Sequence, residues 1–162
     1  MANSDFDVVT GAFGYTGKYI ARRLLAGGRR VRTLTGHPNL PDPFGGQVDV
    51  APLDFQDPAG LARSLAGATT LYNTYWVRFP RGGVTFERAV EDSRKLFRAA
   101  GEAGVRRIVH ISITNADEAS TLPYFSPKFP PVVDMTDSCG PAVVLTTWGL
   151  PQAGRRPAAG GR

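Results

Sequence analysis

Sulfur and imidazole are scarce in this chain: one cysteine, Cys139, and two histidines, His37 and His110, among 162 residues. A single thiol excludes an internal disulfide and points to a reducing, cytoplasmic compartment. The two histidines lie far apart, so no group of residues has metal-ligand spacing and no metal is expected. No apolar run reaches the roughly 20 residues a membrane-spanning helix needs. The opening "MANSDFD" is polar and acidic and does not read as a signal peptide. Acidic residues are the minority, 14 against 19 Lys and Arg, for a formal net charge of +5. The arginines come as pairs at segment ends, however, and no basic run is interleaved with aromatics, so a nucleic-acid surface is not expected.

What is present is an alternation. "FDVVT" (Phe6–Thr10) is short, apolar and β-branched, as a buried strand requires. "YTGKYIARRLLAGG" sets Ile20, Leu24 and Leu25 at helical spacing before Gly27 and Gly28 end the segment. "RVRTLT" (Arg30–Thr35) reads as a second strand, "HPNLPDPFGG" as a loop, and "QVDVAPLD" (Gln47–Asp54) as a third strand. Asp57 suits a helix cap and Pro58 the first helical position. Thr69–Trp76 reads as a fourth strand and Arg106–Ile113 as a fifth. Between them, Val84–Gly104 is the clearest helix. Phe86, Ala89, Val90, Phe97 and Ala100 line one face, with Arg88, Glu91, Asp92 and Lys95 opposite. Strands that are apolar throughout and alternate with helices predict an α/β fold, a parallel sheet covered on both faces.

The composition changes near Lys128. Five prolines and five glycines make up ten of the 34 residues from 129 to 162. Two parts are therefore expected: a domain over 1–128 and a poorly ordered Pro/Gly-rich tail over 129–162. Within the tail, "AVVLTTWGL" is the one stretch with the makings of a sixth strand.

Gly11, Gly14 and Gly17 recur every third residue where the first strand turns into the first helix. Such glycines serve a tight turn, close approach to a pyrophosphate, and close packing of helix on sheet. The first-turn N–H groups of the helix then face the anion. The spacing is G-x-x-G-x-x-G rather than G-x-G-x-x-G, and its strand–helix context is what gives it weight.

"VTGAFGYTGKYIARRLL", "LYNTYWVRF", "VRRIVHISITN" and "PYFSPK" together resemble the short-chain dehydrogenase/reductase superfamily. The similarity is to its atypical or extended branch, the NmrA-like and NAD-dependent epimerase/dehydratase-like NAD(P)-binding proteins, over about residues 5–128. The resemblance implies a Rossmann-like, doubly wound parallel sheet of about five strands with an incomplete C-terminal part. It implies a pyrophosphate loop at Gly11, Phe13, Gly14, Tyr15 and Gly17, an adenine contact at Asp54, and a cofactor-lining Asn73. The second strand ends in "RTLTGHP" with no carboxylate before Asp42, where one would bind the ribose 2′-OH of NAD and repel a 2′-phosphate. NADP(H) is therefore favoured over NAD(H); Arg32 or Arg30 is the candidate phosphate contact, with a solvated charge at the strand end as the other reading of each.

The resemblance also implies chemistry. Tyr124 and Lys128 stand at i and i+4, and in the family such a pair shares one helix face, the tyrosine as general acid/base and the lysine lowering its pKa. Ser112 or Thr114 supplies the partner hydroxyl. The sequence then departs from the pattern: Pro127 lies between the pair, and Pro130 and Pro131 follow. Proline inside a helix costs about 3 kcal/mol or more. A shifted reading frame after Lys128 accounts for the abrupt change, and a naturally short relative is the alternative. Three functions stay open: an oxidoreductase or epimerase-like enzyme acting on an unknown small molecule, a non-catalytic dinucleotide-binding redox sensor, and a truncated product of little activity. An uncovered sheet edge would promote self-association.

Overall fold

In the computed structural model, residues 5–76, 85–112 and 142–146 are described. Strand β1 (Phe6–Thr10) is buried along its whole length. It lies between β2 (Arg30–Thr35) and β4 (Ala68–Asn73), parallel to both. β3 (Val48–Pro52) extends the sheet beyond β2, and β5 (Arg107–Ser112) beyond β4. A sixth strand, β6 (Ala142–Thr146), pairs parallel with β5, so the order is β3-β2-β1-β4-β5-β6. β6 comes from the stretch beyond residue 128 that composition sets apart, so the sheet crosses that boundary. The order reverses direction between β1 and β4, the switch point at which open α/β sheets hold ligands.

Strand alternation sorts the apolar residues onto two faces. Phe6, Val8, Leu34, Leu71 and Ile108 face one way and pack under helices α2 (Pro58–Leu65) and α3 (Phe86–Glu102), with Leu61, Leu65, Leu96 and Phe97. Val9, Val31 and Val48 face the other way, under α1 (Gly17–Ala26), with Ala21, Ile20 and Leu24. This is the doubly wound Rossmann-like architecture. No described helix is long and apolar enough to cross a membrane.

Local signals set most helix ends. The Asp57 side chain accepts from the Gly60 amide at 2.8 Å, and Pro58 follows it in the first turn. Thr85 caps α3 by accepting from the Arg88 amide at 3.2 Å. Two elements differ from their sequence limits for a stated reason. β4 stops at Asn73 rather than Trp76 because the amides of Thr74 and Tyr75 turn to the Thr10 hydroxyl, at 2.7 and 3.1 Å. β3 stops at Pro52, and Asp54 begins a turn by accepting from the Gln56 amide at 2.8 Å. Asp92, expected on the polar face of α3, is instead 4% exposed. It accepts from Arg88 Nε at 3.1 Å, from Tyr75 Oη at 3.4 Å, and lies 3.7 Å from Lys95 Nζ. Buried Asp7 is likewise satisfied by a two-pronged contact from Arg29, at 2.8 and 3.1 Å.

The two kinds of support should separate in urea denaturation. Phe97→Ala empties a fully buried aromatic site and should cost about 3–5 kcal/mol. Asp57→Ala removes one exposed cap and should cost about 1 kcal/mol. Similar losses for both would mean that the α2/α3 layer is not packed as described.

Candidate functional site

The turn from β1 into α1 is built on missing side chains. Gly11 has φ +62°, in the left-handed region that favours glycine. Its amide donates to the Leu34 carbonyl at 2.8 Å, and its own carbonyl accepts from the Gly14 amide at 2.9 Å. That carbonyl occupies the space a Cβ on Gly17 would need, and such a Cβ would also stand 2.9 Å from Ala12 Cα. A Cβ on Gly14 would be 3.2 Å from the same carbonyl. The chain therefore folds back tightly and delivers the first turn of α1 beside the carboxyl end of β1. Thr16, at the head of α1, makes no side-chain cap, and the first turn holds no acidic residue. The Lys18 and Tyr19 amides donate to the Gly14 and Thr16 carbonyls at 3.1 and 3.2 Å, and the positive dipole end of the helix, with no acid against it, faces a space suited to an anion.

Beside this turn lies a cleft of about 240 Å³ across the carboxyl ends of β1 to β4. Leu34, Leu53 and Phe55 give it apolar walls; Thr35, Gly36 and His37 form the side at the end of β2; Thr74, Tyr75 and Trp76 continue from β4. Phe55 and Tyr75 pack with ring centroids 4.8 Å apart. Burial, and then the nearby Asp92 carboxylate, push the Tyr75 hydroxyl up to about 12, so it stays neutral. No carboxylate lines this cleft among the described residues.

A buried polar chain fixes the cleft floor. Thr10 Oγ1 donates to Asn73 Oδ1 at 3.1 Å, and Asn73 Nδ2 lies 3.0 Å from His110 Nδ1. The Tyr75 amide also donates to Asn73 Oδ1, at 3.0 Å. Asn73 Oδ1 thus faces two donors, so its amide nitrogen donates to His110 Nδ1 and the ring proton sits on Nε2. Burial lowers the His110 pKa to about 4, and the Phe97 ring packs edge-on against it at 5.6 Å. The network joins β1, β4 and β5 just beneath the switch point.

The structure groups some of the residues expected from sequence and separates others. Gly11, Gly14 and Gly17 shape the turn together. Phe13 packs on Phe44, with ring centroids 6.3 Å apart, so it supports the turn from the α1 side. Tyr15 is 82% exposed, and Lys18 Nζ stands over its ring at 5.7 Å. Asp54 is exposed between the cleft residues Leu53 and Phe55, its carboxylate engaged in the turn to Gln56. Asn73 does not line the cleft: it is fully buried and spends its amide on Thr10, Tyr75 and His110. Its neighbours Thr74 to Trp76 occupy the lining positions instead. Arg32 points away to α2, donating to the Ser64 carbonyl at 2.9 Å with its guanidinium over the Phe6 ring at 4.4 Å. Arg30 opens β2, and a strand rise of about 3.3 Å per residue puts it about 20 Å from Gly36, at the opposite sheet edge. Ser112 ends β5. Thr114, Tyr124 and Lys128 lie outside the described residues. Thr10, Phe55, Tyr75 and His37 were not anticipated; only their places just after strand ends marked them.

A family model described as NAD(P)H-binding matches residues 11–134, well over half of the chain. The chain belongs to this NAD(P)H-binding family. It has the Rossmann fold that the glycine turn and the strand order indicate. The chain is 35% identical over 109 residues to sterol demethylase protein B of Methylococcus capsulatus, covering 65% of this chain and 33% of that protein. Two solved structures share the fold. Citrobacter sp. triphenylmethane reductase complexed with NADP(H) has a TM-score of 0.66 at 21% identity, over 85% of this chain and 48% of that one. The Bordetella bronchiseptica enzyme WbmG in complex with NAD and UDP has a TM-score of 0.68 at 18% identity, over 86% and 52%. The chain thus spans about a third of that relative and about half of each of these two structural neighbours.

Two outcomes follow from this geometry. Gly17→Ala forces a Cβ into the Gly11 backbone and should cost roughly 1–3 kcal/mol or more, whereas Gly36→Ala, with open space around it and no left-handed backbone angle, should cost much less. Thermal unfolding of the two variants makes the comparison; equal losses would contradict the tight turn. His110 is held near 4, below its ordinary 6.5. Between those values the unfolded chain takes a proton that the folded chain refuses, so stability should fall as pH drops from about 6.5 to 4, by on the order of 3 kcal/mol. Urea titrations at several pH values should show that slope shrinking in His110→Gln. An unchanged slope would place its origin elsewhere.

Proposed function

We propose that this chain is the dinucleotide-binding part of an NAD(P)-dependent oxidoreductase or epimerase-like enzyme. The observation that carries the reading is the uncapped head of α1, brought by the Gly11–Gly17 turn to a cleft at the sheet's switch point. The residues present fit such a cofactor. In this reading the positive end of α1 and the bare Gly14 receive a pyrophosphate, and the apolar walls at Leu34, Leu53 and Phe55 suit a flat purine. On the same reading Asp54, between the walls Leu53 and Phe55, accepts from an adenine amino group. The cofactor, when bound, supplies a hydride donor or acceptor. NADP(H) should bind at least as tightly as NAD(H), since no carboxylate lines the cleft among the described residues.

Chemistry rests on Ser112 with Tyr124 and Lys128. In this reading Tyr124 moves the proton at a substrate hydroxyl or carbonyl oxygen, Lys128 lowers its pKa, and the Ser112 hydroxyl orients the same oxygen. The similarity to a protein named for sterol demethylation and to a triphenylmethane reductase supports a redox reaction on a small molecule. Pro127, Pro130 and Pro131 favour a second reading, a dinucleotide-binding sensor without turnover, because they oppose the helix that would align the pair.

Gly14→Val should abolish binding of NADPH and NADH, read by cofactor fluorescence, while leaving the circular dichroism spectrum intact. Unchanged affinity would refute the pyrophosphate assignment. Misplacement of catalytic groups by about 1 Å can cost on the order of 100-fold, so the 162-residue chain should bind cofactor with little turnover of quinones, ketones or nucleotide sugars. Robust turnover that Tyr124→Phe removes would show that the proline-rich segment builds a working site.

A further inference from the structure

The preference for a 2′-phosphate needs a positive group at the end of β2, and neither arginine of that strand provides it. Arg32 is turned to the Ser64 carbonyl, within 3.9 Å of Asp49 and stacked over Phe6. Arg30 begins the strand at the far edge of the sheet. Arg29, just before it, is engaged by Asp7. The cleft itself holds two titratable side chains among the described residues, Tyr75 and His37. Tyr75 stays neutral beside Asp92. His37 is exposed, two residues past the end of β2, at the cleft rim.

We propose that His37, not an arginine, selects the 2′-phosphate of NADP(H), and that Gly36 leaves the room it needs. This deepens the cofactor reading above and rests on it. The loop is built for the task. The His37 amide donates to Thr35 Oγ1 at 3.0 Å and its carbonyl accepts from the Leu40 amide at 3.3 Å, so the turn after β2 is held by its own backbone. No hydrogen bond is thereby asked of the imidazole. A Cβ on Gly36 would meet nothing within 4 Å, so open space lies beside the strand end where a ribose substituent would sit. A carboxylate in that position would hydrogen-bond the 2′-OH of NAD and repel a phosphate. With glycine there, the imidazole of the next residue, itself lining the cleft, supplies a donor to the phosphate, and in its charged form a charge-assisted one.

The test compares binding of NADPH, NADH, 2′-AMP and 5′-AMP by calorimetry for the wild type, His37→Ala, Gly36→Asp and Arg32→Ala. A hydrogen bond to a charged group corresponds to about tenfold or more in affinity. His37→Ala should therefore weaken NADPH and 2′-AMP about tenfold while moving NADH and 5′-AMP less than about twofold. Gly36→Asp should invert the preference toward NADH. Arg32→Ala should leave the NADPH-to-NADH ratio unchanged. If His37→Ala shifts both cofactors equally, or shifts neither, and Arg32→Ala alters the ratio, the assignment to His37 is overturned. If the wild type binds none of the four ligands, the dinucleotide reading itself fails, which is a distinct result.

Discussion

The structure depends on one close approach. The carbonyl of Gly11 fills the space that any side chain on Gly17 would occupy. This contact lets α1 begin immediately beside the end of β1, which sets the positive end of the helix at the carboxyl ends of the strands. The helix then lays Ala21, Ile20 and Leu24 against Val9, Val31 and Val48. Widening the turn by one methyl group would shift the packing of that whole face and remove the anion-facing geometry together. Folding and cofactor binding are for this reason not separable at Gly17, whereas at Gly14, with a Cβ distance of 3.2 Å, they are more nearly so.

A second constraint holds the cleft open on its other side. Thr10 makes four hydrogen bonds to three residues. Its hydroxyl donates to Asn73 and accepts from the Thr74 and Tyr75 amides, and its carbonyl accepts from Thr74 Oγ1 at 2.6 Å. Chain leaving β4 is thereby pulled toward β1 and becomes cleft wall instead of strand. Asn73 passes the arrangement to His110 on β5, whose next turn of sequence carries Ser112. Buried polar networks of this kind specify one geometry because every unmet partner is costly in a low dielectric. Here a single chain of contacts ties the cofactor side of the sheet to the strand that bears the proposed reaction chemistry.

Much of the fold was legible because its signals are local. β1 and β2 match their sequence limits residue for residue, since each is rich in β-branched residues and ends at a glycine. Asp57 and Pro58 marked the start of α2 by cap chemistry alone. The side chains that were misplaced are those whose direction depends on tertiary register. Asn73 looked like a cofactor ligand because it ends β4, but strand alternation turns it inward. Arg32 alternates onto the α2 face for the same reason. Asp92 follows helical periodicity to the polar side of α3, yet Tyr75 and the surrounding cations draw it under cover. No one-dimensional pattern contains Tyr75, because it becomes a wall only after Thr10 bends the chain.

The central claim is that the β1–α1 turn and the ends of β2 and β3 receive one dinucleotide. Amide hydrogen exchange of the folded chain with and without saturating NADPH tests it most directly. Slowed exchange concentrated at residues 11–19, 34–37 and 53–56, with the far ends of the same strands unchanged, is the predicted result. Protection absent from the 11–19 segment, or confined to the groove between β3 and α2 lined by Arg32, Asp49, Gly60 and Arg63, would contradict the account.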